Sequence, residues 1–350
     1  MGKSMISSKV KNLIPYTPGE QLAGGFIKLN TNENPHPPSS KVKAVLDNFE
    51  YEKLRLYPDP SSTVLTEAIA EFENVKPENI FLGNGSDEVL SFAFLALFEK
   101  SVAFADITYS FYPVYCDFYD LKQVLVPLKK DFVADLKDYE KVDAGGIIIC
   151  NPNAPTSLIT KNDDILNLVK KVKCNVLVDE AYIDFALDNK SLAPESINHN
   201  NLLVVKTFSK SYSLAGLRCG YAVGNAELIN ALNTVKNCFN SYTINMFTQK
   251  IALEAIKDRQ HFDSCVSKII SQRERCILKL QEAGHFVLNS DANFLFVKHK
   301  TLSGRQVYEK LKSQKILVRY FDKDKLKEFT RVTIGTKEQM DAFTNEFLAL

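Results

Sequence analysis

No apolar run in this 350-residue chain reaches the ~18 residues that a membrane-spanning helix requires, so no span is expected. The opening Met1-Gly2-Lys3-Ser4-Met5 lacks the apolar core of a signal peptide. Without a secretion signal, the glycosylation patterns at Asn84-Gly85-Ser86 and Asn189-Lys190-Ser191 carry no meaning. Cys-x-x-Cys is missing, and the cysteines are odd in number: Cys116, Cys150, Cys174, Cys219, Cys238, Cys265 and Cys276. Neither a disulfide framework nor a zinc site follows from that spacing, and reduced thiols in a cytoplasmic protein are the plain expectation. The histidines His36, His199, His261, His285 and His299 fall outside every motif, so no metal is expected and no Ser-His-Asp set is marked. No Gly-x-Gly-x-x-Gly follows a strand, which argues against a dehydrogenase. Excess charge is lacking too: a net charge of +1 gives no sign of a nucleic-acid or acidic-surface partner. Small anions need only a local cluster of cations and stay open.

What is present is an ordinary globular composition, long enough for about two domains. The first forty residues are broken by Pro15, Pro18, Gly19, Gly24, Gly25, Pro35, Pro37 and Pro38, the pattern of an arm crossing a surface. A helix is predicted from about Ser61 to Asn74, and others at Ser86–Glu99 and Asp163–Lys173. Short apolar strands are predicted at Ile80–Leu82, Val102–Ala105, Gln123–Val126, Ile147–Cys150, Asn175–Val178, Leu202–Lys206 and Tyr221–Val223. Continuous apolar strands separated by helices imply an α/β domain with a mostly parallel central sheet flanked by helices. After about Asn245 a long helical pattern runs from Met246 to Ala283. Strands at Asn293–Val297, Ile316–Tyr320 and Arg331–Ile334 and a last helix follow. The expected division is an N-terminal arm over 1–45, a large α/β domain over 46–245 and a smaller α+β domain over 246–350, with the arm belonging to the smaller one. No internal repeat appears.

Ligands of parallel sheets bind beyond the carboxyl ends of the strands. The chemistry-bearing residues fall there: Asn151-Pro152-Asn153, Asp179, and Thr207-Phe208-Ser209-Lys210. Lys210 ends an apolar strand, Asp179 ends another, Tyr182 follows Asp179, and Arg218 lies eight positions after Lys210. A lysine for a carbonyl carbon, an acid for a pyridinium nitrogen, and an arginine with hydroxyls for a phosphate make up a toolkit for pyridoxal 5′-phosphate. A desolvated lysine near other cations has a lowered pKa and becomes a nucleophile. A second phosphate-binding element is Gly83-Asn84-Gly85-Ser86-Asp87-Glu88, where glycines precede a helix N-terminus. The same segment is also what an ordinary helix cap looks like.

On these motifs, and on Leu214-Ala215-Gly216-Leu217-Arg218-Cys219-Gly220, the chain resembles the fold-type I pyridoxal-phosphate enzymes of the aspartate aminotransferase superfamily. Within that superfamily, Leu13-Ile14-Pro15-Tyr16 followed by Leu29-Asn30-Thr31-Asn32-Glu33-Asn34-Pro35 resembles the histidinol-phosphate aminotransferase branch. The resemblance runs from Tyr16 to about Thr336. It implies that Lys210, Asp179 and Tyr182 serve catalysis, with Tyr182 bonded to the ring oxygen of the cofactor. It also implies cofactor contacts at Ser86, Asp87, Tyr109, Thr207, Ser209 and Arg218. Tyr57 would reach the phosphate of a neighbouring subunit, making the active unit a homodimer. One departure stands out. The branch usually reads Asn-Pro-Thr-Gly where this chain has Ala154-Pro155-Thr156-Ser157, and alanine cannot donate a hydrogen bond. Either Asn153 reaches over, or Tyr182 holds the ring oxygen alone. For substrate, the resemblance implies Tyr16, Asn32, Glu33, Arg319 and Arg331, since guanidinium forks suit carboxylates and phosphates. Transamination of L-histidinol phosphate with 2-oxoglutarate is the activity it implies; an aromatic aminotransferase or a threonine-phosphate decarboxylase would share the scaffold.

Overall fold

A computed structural model describes residues 5–188 and 190–350. The first four residues of the opening stretch and the acceptor position Asn189 lie outside the described residues.

Seven strands form the central sheet, in the order Ile80–Gly83, Gly220–Gly224, Leu202–Thr207, Asn175–Asp179, Gly146–Cys150, Ser101–Ala105 and Lys122–Val126. All but one run the same way; Gly220–Gly224 is antiparallel to both of its neighbours. Helices cover both faces, so the middle strands are buried along their whole length and read as unbroken apolar runs. That is why the sequence marks these strands so clearly and says nothing about the direction of Gly220–Gly224.

A second, antiparallel sheet has the order Arg319–Tyr320, Phe329–Thr333, Phe294–Lys298 and Phe286–Val287. The arm joins this part of the molecule: Ile27–Lys28 pairs in parallel with Ile316–Leu317, and Thr333 N donates to Leu29 O at 2.9 Å. Asn30 to Asn34 thereby hang between the two sheets.

Several elements depart from the sequence patterning. The helical stretch from Met246 to Ala283 is two helices, Met246–Lys257 and Arg259–Glu282, because Asp258 leaves the helical conformation and its side chain caps His261 N. The predicted strand Ile316–Tyr320 splits at Val318, its first half pairing with the arm and its second with Phe329–Thr333. The helix Ala226–Phe239, capped by Asn225, is not marked by the patterning at all.

Candidate active site

The carboxyl ends of Asn175–Asp179 and Leu202–Thr207 are neighbours in the sheet, which brings Asp179 and the Ser209-Lys210 turn to the same edge. They open into a cavity of about 390 Å³. Of the residues singled out in the sequence, Tyr16, Asn32, Glu33, Ser86, Asp87, Tyr109, Asp179, Tyr182, Thr207, Ser209, Lys210, Arg218, Arg319 and Arg331 all line it. Asn153 and Tyr57 do not.

Lys210 Nζ makes one long contact, 3.4 Å to Thr31 O, and sits 5.7 Å from the centroid of the Tyr182 ring. Burial, reinforced by the Arg331 charge, pulls its pKa down to about 8. A good part of the amine is therefore uncharged just above neutral pH. Asp179 is 4% exposed; burial pushes it up to about 6, against the pull of its bonds from Tyr112 Oη (2.7 Å) and Ala181 N (3.2 Å). Tyr112 lies in an aromatic-rich stretch with Tyr109, Phe111, Tyr115, Phe118 and Tyr119. A buried tyrosine needs a partner for its hydroxyl, but the sequence cannot say which.

At one end of the cavity lies a cup suited to phosphate. Thr207 and Ser209 are buried there, and the helix Ser86–Leu97 presents its N-terminus. The approach is close enough to demand glycine twice. A Cβ on Gly220 would meet Ser86 N at 2.3 Å, and Gly85, at φ +88°, leaves room for the Arg218 guanidinium, 2.6 Å from where its Cβ would stand. Arg218 Nη2 donates to Asp87 Oδ2 at 3.0 Å, and Tyr109 Oη donates to Asp87 Oδ1 at 3.0 Å. The Asp87 carboxylate thus orients the arginine and the tyrosine, and what Asp87 can offer an anion is its backbone N–H.

At the other end, Arg331 lies between Phe294 and Phe321, 5.3 Å and 5.7 Å from their ring centroids, and donates to Asn30 O at 2.8 Å. Its Nε is buried without a partner, and among the described residues no carboxylate pairs with it. A buried guanidinium with an unused N–H is a receptor for an anion. Arg319 donates to Thr17 O and Pro18 O, holding the arm over the cavity, while the Tyr16 ring packs on Phe111 at 4.8 Å. Glu33 is bonded to Lys28 Nζ at 2.6 Å.

Asn153 is turned away: its amide donates to Ile107 O and Thr156 Oγ1, and its carbonyl accepts from Thr108 Oγ1. It does not stand in for the amide missing at Ala154, which is itself on the cavity wall. Tyr57 is 80% exposed and stacks on Tyr242 at 4.6 Å. Two asparagines of the arm do more than the sequence marked. Asn32 Nδ2 donates to Tyr182 Oη at 3.0 Å, and Asn34 Nδ2 donates to the carbonyls of Lys210 and Ser211. Among the described residues no group of three or more His, Cys, Asp or Glu side chains could hold a metal ion, and no helix is long and apolar enough to cross a membrane.

The family model described as "Aminotransferase class I and II" matches residues 25–347. The histidinol-phosphate aminotransferase of Brachyspira hyodysenteriae is 49% identical over 348 residues, 98% of each chain. That of Clostridium botulinum (strain Okra) is 45% identical over 344 residues, 97% of this chain and 96% of the other. Among solved structures, the histidinol-phosphate aminotransferase of Sinorhizobium meliloti in complex with pyridoxal-5′-phosphate superposes with a TM-score of 0.88. It covers 99% of this chain and 98% of its own at 20% identity, a likeness of fold.

Proposed function

The chain belongs to the aminotransferase class I and II family, and from that premise we propose that it moves the amino group of L-histidinol phosphate to 2-oxoglutarate. Imidazole-acetol phosphate and L-glutamate are the products, a step in the biosynthesis of histidine. The enzyme is a transaminase, and its cofactor is pyridoxal 5′-phosphate. The residues present fit that group. Arg218, Thr207, Ser209 and the helix N-terminus at Ser86 suit its phosphate; Asp179 suits a ring N–H; Tyr182 suits a ring oxygen; Tyr109 offers a flat face. When bound, the cofactor carries the amino group between substrates and draws electrons away from the amine-bearing carbon.

Lys210 first holds the cofactor. Once free, its Nζ would be the base that takes the proton from the amine-bearing carbon of the substrate. A pKa of about 8 suits that task, since a base works best near the operating pH. Asp179, mostly ionised above pH 6, keeps a proton on the ring nitrogen. Arg331, with Arg319 and Tyr16 beside the arm, receives the substrate phosphate or the glutamate carboxylate. The observation that supports this reading best is the lowered pKa of Lys210 at a cavity it shares with Asp179, Arg218 and Arg331.

A homodimer is part of the same reading. Tyr57, 80% exposed, stacks on the exposed Tyr242, and Leu54, Leu56 and Phe239 are exposed too, apolar side chains that a second copy could cover. A second copy over this face would carry Tyr57 to the neighbouring phosphate cup. Seven unpaired cysteines accord with a cytoplasmic setting.

The test is single-turnover absorbance. Cofactor-loaded protein is mixed with L-histidinol phosphate, phenylalanine or threonine phosphate. Fast loss of the cofactor–lysine band with histidinol phosphate alone is expected. Conversion only with phenylalanine would make this an aromatic aminotransferase, and CO₂ release from threonine phosphate a decarboxylase.

A further inference from the structure

Tyr182 has a single hydroxyl hydrogen, and a chain of hydrogen bonds behind it fixes where that hydrogen can go. The chain begins at Asn32, which is 1% exposed and held at φ +57°, a conformation asparagine tolerates better than most residues. Its backbone N–H donates to Thr333 Oγ1 at 2.9 Å. The Thr333 hydroxyl, having accepted there, still carries its own hydrogen and gives it to Asn32 Oδ1 at 3.1 Å. Reversing the amide would leave that buried hydroxyl hydrogen without its acceptor, so the network assigns the carbonyl to Thr333 and the NH₂ to Tyr182. Asn293 Nδ2 clamps the arrangement from behind by donating to Asn32 O at 3.1 Å.

Asn32 Nδ2 reaches Tyr182 Oη at 3.0 Å. The phenol therefore accepts on its protein side and is free to donate on the cavity side. It also keeps its hydrogen: burial raises its pKa to about 12. Ala154, on the same cavity wall, has no donor to add. A hydroxyl that accepts one bond is a stronger donor in the next.

We propose that Asn32 is a positioning residue: through Thr333 it sets Tyr182 as a one-way hydrogen-bond donor to the ring oxygen of the cofactor, so that the site works without a side-chain amide at position 154. The proposal rests on the function read above. A donor on a phenolic oxygen favours its anionic form, so the relay keeps the cofactor's proton loss at a low pH.

The readout is the pH midpoint of the absorbance change of the bound cofactor, measured without substrate. Asn32→Asp is nearly isosteric but reverses the polarity, because a carboxylate accepts the Tyr182 hydrogen and draws it out of the cavity. The midpoint is expected to rise by about one pH unit. Asn32→Leu removes the bond without reversing it and should shift the midpoint less. In a Tyr182→Phe background, Asn32→Asp should add little to the shift that Tyr182→Phe causes by itself. An equal shift of Asn32→Asp in both backgrounds would show a plain charge effect and overturn the relay, as would an unmoved midpoint. Thr333→Val, whose side chain lies outside the cavity lining, carries the test if Asn32→Asp does not fold. It frees the amide to turn, and a rise in the midpoint is expected, while no change overturns the proposal. The function itself fails in a different way: wild-type protein would then show no cofactor band that Lys210→Ala removes.

Discussion

Lys210 and Asp179 are both kept where water would not put them, and the two burials have opposite consequences. Lys210 loses part of its charge and gains nucleophilicity. Lys210→Ala should lower turnover by at least roughly 10⁴-fold, the upper range for a positioned acid–base group, with cofactor release on dialysis and an unchanged circular dichroism spectrum. A mutant that turns over near the wild-type rate would remove the assignment. Asp179 is held protonated up to about pH 6, whereas in an unfolded chain it would ionise near pH 4. The folded protein without cofactor thus binds the extra proton, and the contribution of Asp179 to stability is fully present below pH ~4 and is lost as the pH rises through 6. At pH 7.5 the cofactor-free Asp179→Asn protein should be more stable than wild type, by on the order of 1–3 kcal/mol. Urea unfolding at pH 7.5 and 4.5 tests this, since the difference should shrink at the lower pH. Cofactor affinity should fall in the same variant. If it is instead less stable at pH 7.5, the bonds from Tyr112 and Ala181 outweigh the cost of burial.

Behind the Lys210 turn, one helix and two strands are tied by a buried charge cluster. Glu73, at the end of Thr63–Glu73, accepts from Lys206 Nζ at 2.9 Å and from Tyr221 Oη; Asp184 stands 3.6 Å from Lys206 and accepts from Ser211, next to Lys210. Glu73→Ala leaves Lys206, 4% exposed, with half its compensation. A loss of roughly 3–5 kcal/mol is expected by urea unfolding, and the double variant Glu73→Leu with Lys206→Met should recover much of it. An equal loss in the double variant would mean that the cluster stabilises through more than the pairing of its charges. The elements themselves were unequally legible in the sequence. Leu202–Thr207 announces itself because a strand buried on both faces tolerates little but apolar residues, and Lys206 sits there only because Glu73 comes to meet it. The break at Asp258 was not legible, since Asp is also an ordinary exposed helix residue and only its cap on His261 N distinguishes it. Nor was the split at Val318, because its first half pairs with the distant arm at Ile27–Lys28 while its second pairs with the nearby Phe329–Thr333. The same holds within the cavity. Lys210, Asp179 and Arg218 could be read from local context at strand ends. Tyr112, Asn32 and Asn34 act through partners that lie 67, 150 and 176 positions along the chain, and no window of sequence contains both ends of such a bond.

The molecule as a whole closes its phosphate cup from one side only. Arg218, 44% exposed at its side chain, still faces solvent beside Asp87, and Tyr57 stands on an exposed face where it stacks on Tyr242. If a second copy covers that face about a two-fold axis, each cup receives Tyr57 from the other chain, and inactive variants must complement one another. Lys210→Ala retains Tyr57 but has no base. Tyr57→Ala retains Lys210 but binds cofactor weakly, and at limiting cofactor it should be nearly inactive. In a mixed dimer, the Lys210 of one chain meets the Tyr57 of the other in one complete site, while the second site lacks both. Random re-pairing makes half of the dimers mixed, so co-refolded equal amounts should recover about a quarter of the wild-type activity, against almost none for either variant alone. Recovery is expected to track the mixed dimer when tagged chains are separated. If Tyr57 served the cup of its own chain, the complete pair would never assemble, and the mixture would show only the mean of the two variants.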